Sequence, residues 1–300
     1  MTKSMRANLS RTLATVAVLC AVTAAQVSSE KPSETVAMAG PSRVAQPLPF
    51  QPGEQLVYEV SFSKLIFSGV VGDIKLSVSR PADPTLNMID FKAEAVSRGF
   101  FPTLLGLKVK DTYSSTVNAI DLVLHSFKRS IEEGKTRREL TSVINCESGR
   151  VTYTERDLSD TKAQPKVKEA GSPAWTQDVL SAIYFLRAQK LNEGDVIAIP
   201  ISDAADVYNI EVVVGKREEL KLDLGKFMAA RLDAKVFDGR FIKRSGEMVL
   251  WVSDDPKRFI VRARIKTSGV TVTVDLKRVS HGGDGPASRG NEAKKVSYAR

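Results

Sequence analysis

In "QLVYEVSF" (residues 55–62), Leu56, Tyr58, Val60 and Phe62 occupy every second position. That period belongs to an extended strand with one buried face; a helix would repeat its apolar residues every three or four. "GDIKLSVSR" (72–80) repeats the pattern through Ile74, Leu76 and Val78, and "DFKAEAVSR" (90–98) through Phe91, Ala93 and Ala95. The same reading predicts strands over 108–118, 122–131, 138–146, 150–156, 196–201, 208–214, 226–237, 247–252, 258–267 and 270–278. Short joints such as "ESGR" and "TSGV" fit tight turns between antiparallel neighbours.

One segment breaks this rhythm. In "SPAWTQDVLSAIYFLRAQKLNEGD" (172–195), Ser172 can cap a helix, Pro173 suits its first position, and Gly194 closes the segment. Trp175, Val179, Ile183 and Leu186 share one stripe, with Leu180 beside it, so a helix is predicted over 173–189. "GFFPTLLGL" (99–107) reads as a shorter helical turn, and 159–171, with Lys162, Lys166 and Lys168, as a mobile loop. The fold class is therefore mainly β: a large curved antiparallel sheet, or partial barrel, packed around one amphipathic helix. A concave sheet around a helix can enclose an apolar cavity.

The ends of the chain read differently. Lys3, Arg6 and Arg11 precede an uncharged apolar run over 12–25, and Val22-Thr23-Ala24 supplies small residues for cleavage. This is the pattern of a secretory signal peptide over 1–24; its apolar run of about 14 residues falls short of the ~20 that span a bilayer. Leu19 before Cys20 argues against a lipid-anchored cysteine. Residues 25–49 read as a disordered N-terminal segment, 50–279 as a single β-rich domain, and 280–300 as a disordered tail. Removal of the signal lowers the formal charge of +9 by three, to +6, below the density expected of a nucleic-acid binder. Cys146 would then be the one remaining cysteine, so no internal disulfide is expected. An exported, periplasmic protein, with outer-membrane association one variant, fits these features; no transmembrane segment is expected after cleavage.

Catalytic chemistry has little material. There are two histidines, His125 and His281, too few with cysteine for an ordinary zinc site, and no metal or cofactor is expected. No nucleophile elbow, phosphate loop or dinucleotide fingerprint occurs. Glu132-Glu133 precedes Gly134 and reads as a hairpin tip. "WVSDDPKRFIVRARIK" (251–266) places Asp254 beside Asp255. The pair reads first as a reverse turn ahead of Pro256, and secondarily as the carboxylates of a carbohydrate-active hydrolase. In the following strand Arg262, Arg264 and Lys266 make one face cationic, a solvated face or a strip for anionic headgroups, while Trp251 is expected to face the core.

Three islands, "FQPGEQLVYEV" (50–60), "DVLSAIYFLR" (178–187) and "WVSDDPKR" (251–258), occur in this order. Together they resemble the exported bacterial domain-of-unknown-function family numbered 3108, over roughly 50–277. The resemblance implies a β-rich periplasmic or outer-membrane-associated domain and carries over no catalytic residue. Members often have proline two residues past the arginine of the third island, where this chain has Ile260. The expected shape is also similar to carriers that ferry lipoproteins across the periplasm.

The leading expectation is non-enzymatic binding of an amphiphilic, lipid or glycan ligand, or of a cell-envelope protein partner. Trp175, Leu180, Tyr184 and Phe185 would line the concavity, with Phe100, Phe101 and Leu104 near its opening; the alternative for all seven is ordinary core. A structural assembly factor acting through exposed strand edges is a third reading.

Overall fold

The computed structural model describes residues 44, 46–83, 85–105, 108–160, 162–239, 241–243 and 245–282. The expected signal peptide, most of the segment before Phe50 and most of the C-terminal tail lie outside the described residues. So do the side chains of Phe101 and Leu104.

Alternation becomes burial first in β1 (Glu54–Lys64), where Leu56, Tyr58, Val60 and Phe62 are buried and the residues between them are partly exposed. The chain continues through β2 (Phe67–Ser79), β3 (Met88–Ser97), α1 (Phe100–Leu105), β4 (Lys110–Asn118), β5 (Leu124–Glu133), β6 (Thr136–Asn145), β7 (Arg150–Asp157) and β8 (Lys166–Gly171). After α2 (Val179–Arg187) come β9 (Val196–Asp203), β10 (Asp206–Leu222), β11 (Gly225–Ala234), β12 (Gly246–Ser253), β13 (Ile260–Thr267) and β14 (Val270–His281). All fourteen strands form one sheet in the order β8-β7-β6-β5-β4-β3-β2-β1-β14-β13-β12-β11-β10-β9. The chain starts at the middle of the sheet, meanders outward to β8, crosses with α2, and meanders back from β9 until β14 pairs with β1. A twisted sheet of this length curls, and α2 fills its concave side.

The two edge strands, β8 and β9, are not paired with each other, so the barrel is open. The seam is spanned by other means. Gln177 bridges to Ile201 of β9, its N–H donating to the Pro200 carbonyl (2.8 Å) and its own carbonyl accepting from Ser202 (2.8 Å). Lys168 of β8 meets Asp206 of β10 at 2.7 Å.

These contacts explain two departures from the sequence pattern. The helix begins at Val179, not Pro173, because the backbone of Gln177 is committed to β9 and Asp178 takes the N-cap, completing a capping box with Ser181. Residues 166–171, predicted to be part of a mobile loop, form β8. Its polar, largely exposed sequence lacks alternation because an edge strand has no second neighbour to pack against. Upstream, Val44 and Leu48 pack on the core, so ordered chain begins before Phe50.

Trp251 is buried in the core, as expected, but on the outer face of the sheet. Met248 and Leu250 of β12 face the concavity, which turns Trp251 to the other face, opposite Arg231 and Arg262. It is buried there because the distal β10–β11 hairpin, bent after a register shift between Val214 and Arg217, folds back over the sheet. Glu218 accepts the indole N–H at 3.0 Å, and Asp223 at the hairpin tip meets Lys277 of β14 at 2.6 Å.

Candidate functional site

α2 presents two faces with different surroundings. Tyr184 stacks on Phe91 (3.9 Å between centroids, 2° between planes), and Phe50 meets both rings edge-on. At the end of this cluster, Arg187 and Glu54 are each 1 % exposed. The guanidinium donates to both Glu54 oxygens, at 2.6 and 3.0 Å, and to the carbonyls of Lys257 and Arg258, both at 3.0 Å. Burial acts against the charge, but Glu54 holds the Arg187 pKa above its ordinary value. The three sequence islands therefore meet at one point: Phe50 and Glu54 from the first, Tyr184 and Arg187 from the second, Lys257 and Arg258 from the third.

The opposite face of α2 borders a cavity of about 120 Å³. Val179, Ala182, Ile183 and Leu186 form its helical wall, and Tyr58, Ile199, Ile210, Leu250 and Ile265 are among its strand walls. Val236, Phe237, Phe241 and Ile242, from the link between β11 and β12, complete the lining as a lid. The Tyr58 hydroxyl has no hydrogen-bond partner among the described residues, and burial raises its pKa strongly.

A smaller lobe of about 60 Å³ adjoins the first, sharing Ile74, Leu76, Val179 and Ile183. Its other walls mix apolar Ala93, Phe127 and Leu180 with polar Tyr113, Ser114, Ser115, Arg129, Asp178, Ser202 and Asp203. Arg129 lies over the Tyr113 ring at 5.1 Å and 3.9 Å from Asp203. Burial pushes the Asp203 carboxyl up to about 6 against the pull of Arg129. Burial likewise raises Asp178, offset by Ser115 and by the N–H groups of Leu180 and Ser181, which donate to its Oδ1 at 2.7 and 3.2 Å. Asp178 Oδ2 and the Ser202 hydroxyl have no hydrogen-bond partner among the described residues. Buried polar atoms are normally satisfied, so such groups beside a cavity are suited to a polar ligand atom.

Of the residues expected to line a site, Leu180 borders the smaller lobe. Tyr184 and Phe185 are buried outside both linings, and Trp175 is half-buried and outside them as well. Phe100 lies in α1 and is exposed. Asp254 pairs with Arg217 (3.1 Å), while Asp255 Oδ1 accepts from the N–H groups of Lys257 (2.7 Å) and Arg258 (3.3 Å). The cationic strip is largely matched: Arg262 is bidentate to Asp275 at 2.5 and 2.8 Å, Lys266 lies 3.7 Å from Glu247, and Arg264 covers Trp251. Among the described residues, no group of three or more His, Cys, Asp or Glu is arranged to hold a metal, and no helix is long and apolar enough to cross a membrane.

Fold and site together define an open, barrel-like antiparallel sheet wrapped around a helix, with a cavity on one helix face. The chain belongs to the family described as protein of unknown function, DUF3108, which it matches over residues 57–277. Similar solved structures include a β-barrel-like protein of domain of unknown function DUF1849 from Brucella abortus. It is 10 % identical, with a TM-score of 0.50, covering 77 % of this chain and 98 % of that one. Another is the hypothetical protein CT021 from Chlamydia trachomatis, 9 % identical with a TM-score of 0.27, covering 80 % and 94 %. No curated protein matches by sequence.

Proposed function

We propose that the protein is an exported, non-enzymatic binder of an amphiphile in the cell envelope. The carrying observation is the pair of adjoining lobes, one apolar throughout and one that adds polar groups to apolar walls, sharing side chains of β2 and α2. The apolar lobe takes an alkyl end. The mixed lobe takes a headgroup that donates to Asp178 or accepts from Ser202. A cavity of about 150 Å³ lined by aliphatic residues holds a benzene-sized ligand. The apolar lobe thus suits a few carbons, and a longer chain passes out beside Phe237, Phe241 and Ile242. The basic, apolar and small-residue order of the first 25 residues supports export.

The test is organic extraction and mass spectrometry of protein purified from the envelope fraction of its producing cells, followed by titration with a fluorescent alkyl probe. A stoichiometric co-purifying amphiphile that displaces the probe is the expected result. Absence of both a co-purifying amphiphile and saturable probe binding would overturn the proposal.

A further inference from the structure

The rim that carries the lid also carries an apolar projection. β2 pairs with β3 only as far as Gly72–Ser97, yet runs on to Phe67, five residues or about 16 Å beyond the sheet on that side. At its tip Leu65 and Ile66 are each 90 % exposed and Phe67 is 47 % exposed. Phe100, on the adjoining α1, is 70 % exposed. Leu65 has a φ of 53°, a left-handed conformation that glycine or asparagine adopts at lower cost. A turn shaped only for solvent would not favour leucine there.

The projection is braced. Arg98 donates its N–H to the Val71 carbonyl (3.0 Å), and its guanidinium is held by Asp73 and, at 2.8 Å, by Glu59. Gly99, with φ 102°, lies against the Val70 carbonyl, where a Cβ would collide. α1 is thereby fixed beside the hairpin.

The charge nearest the tip is basic; the closest acids are Glu59 and Asp73, both bound to Arg98, and Glu133, bridged beside Val109. Residues 60–72 and 95–110, which build the tip and α1, contain no Asp or Glu, while Lys64, Lys108 and Lys110 supplement the paired Arg98. Large exposed apolar side chains with Lys64 at the tip and Lys108 and Lys110 after α1 complement the interface of an anionic bilayer: apolar groups enter the headgroup region and lysines meet the phosphates. Register places the lid on the same rim, since Ser63 opposes Thr271, Thr267 opposes both Val270 and Gly246, and Gly246 follows the lid.

We propose that the β1–β2 tip and α1 form a membrane-contact surface for a bilayer carrying anionic phospholipid. Docking there sets the lid of the cavity against the lipid. This surface does not depend on what the cavity binds.

The full chain carrying Ile66→Trp is mixed with vesicles of phosphatidylcholine alone or with phosphatidylglycerol, and its emission is compared with that of the unsubstituted protein. Quenching by brominated acyl chains at position 66 reads the tip itself and is blind to the apolar run at 12–25. A blue shift and quenching confined to phosphatidylglycerol vesicles are expected, with partitioning at least tenfold weaker when Lys64→Glu and Lys108→Glu are added. An unchanged emission would overturn the proposal, as would equal insertion into the two vesicle types. So would a vesicle-free dimer that Leu65→Ser with Ile66→Ser converts to monomer, because the tip would then be a contact between copies.

Discussion

Replacing Glu54 with glutamine removes the negative partner of a cation that has no route to water. Both groups are 1 % exposed, and Glu54 supplies two of the four hydrogen bonds made by Arg187. The neutral amide leaves a buried guanidinium facing one acceptor and a clashing NH₂. Breaking one side of a buried ion pair costs about 3–5 kcal/mol. For a domain of this size each kcal/mol moves the unfolding midpoint by about 2–4 °C, so Glu54→Gln lowers Tm by roughly 6–20 °C. The double variant Glu54→Leu with Arg187→Met replaces the pair by apolar groups of similar length and should recover at least ~2 kcal/mol of that loss, as such replacements often do. The unmatched carbonyls of Lys257 and Arg258 keep the recovery incomplete. Urea unfolding followed by far-UV circular dichroism compares Glu54→Gln with the parent and measures the cycle of parent, Glu54→Leu, Arg187→Met and their double. Additive effects of the single substitutions, with no recovery in the double, would refute the view that pairing at this point holds α2 to β1.

Three further outcomes are expected. Burial raises Asp111 to about 6, so the folded state favours its protonated form; that contribution is full below the ordinary carboxylate pKa and lost as pH rises through about 6. Asp111→Asn should then be more stable than the parent at pH 7 by up to about 3 kcal/mol, with the gap closing near pH 4; a gap that does not vary with pH contradicts the assignment. Ala182→Phe places a ring in the apolar lobe and should weaken alkyl-probe binding at least tenfold while leaving the circular dichroism spectrum unchanged; full binding would locate the ligand elsewhere. Asp255→Ala removes the acceptor for Lys257 and Arg258 N–H and should cost about 1–2 kcal/mol in the same urea assay, whereas no loss would show that the turn stands without it.

The fold was legible because a half-buried strand writes its burial into consecutive residues. Leu56, Tyr58, Val60 and Phe62 need no knowledge of their partners to be placed on one face. β8 escaped this reading because "KVKEAG" serves as an edge and buries neither face well. Asp178 was hidden as a cap because Ser172-Pro173 offers an equally good local start, and only the nonlocal bridge from Gln177 to Ile201 decides between them. Trp251 was rightly expected in the core, but the cause of its burial was hidden: a hairpin more than 25 residues away in sequence folds over that face. The site was least legible. Arg129, Ser202 and Asp203 come together across the open seam, and nothing in their own segments signals that encounter beyond charged or polar residues set in strands. Leu180, beside the helical stripe in sequence, borders the smaller lobe. Tyr184 was read as lining although it belongs to the aromatic cluster on the other face.

The order of strands also governs when the fold can be completed. Within β1–β8 and within β9–β14 every paired strand is the next in the chain, so each half can zip by short hairpins. The exception is β1 with β14, whose partners include Glu54 and His281, at opposite ends of the domain. During vectorial synthesis the apolar edge of β1 therefore waits, unpaired, until more than 200 further residues have emerged. A chain that stops before β14 retains local hairpins and exposes a long adhesive strand. The central seam makes the last strand made the one that licenses the first.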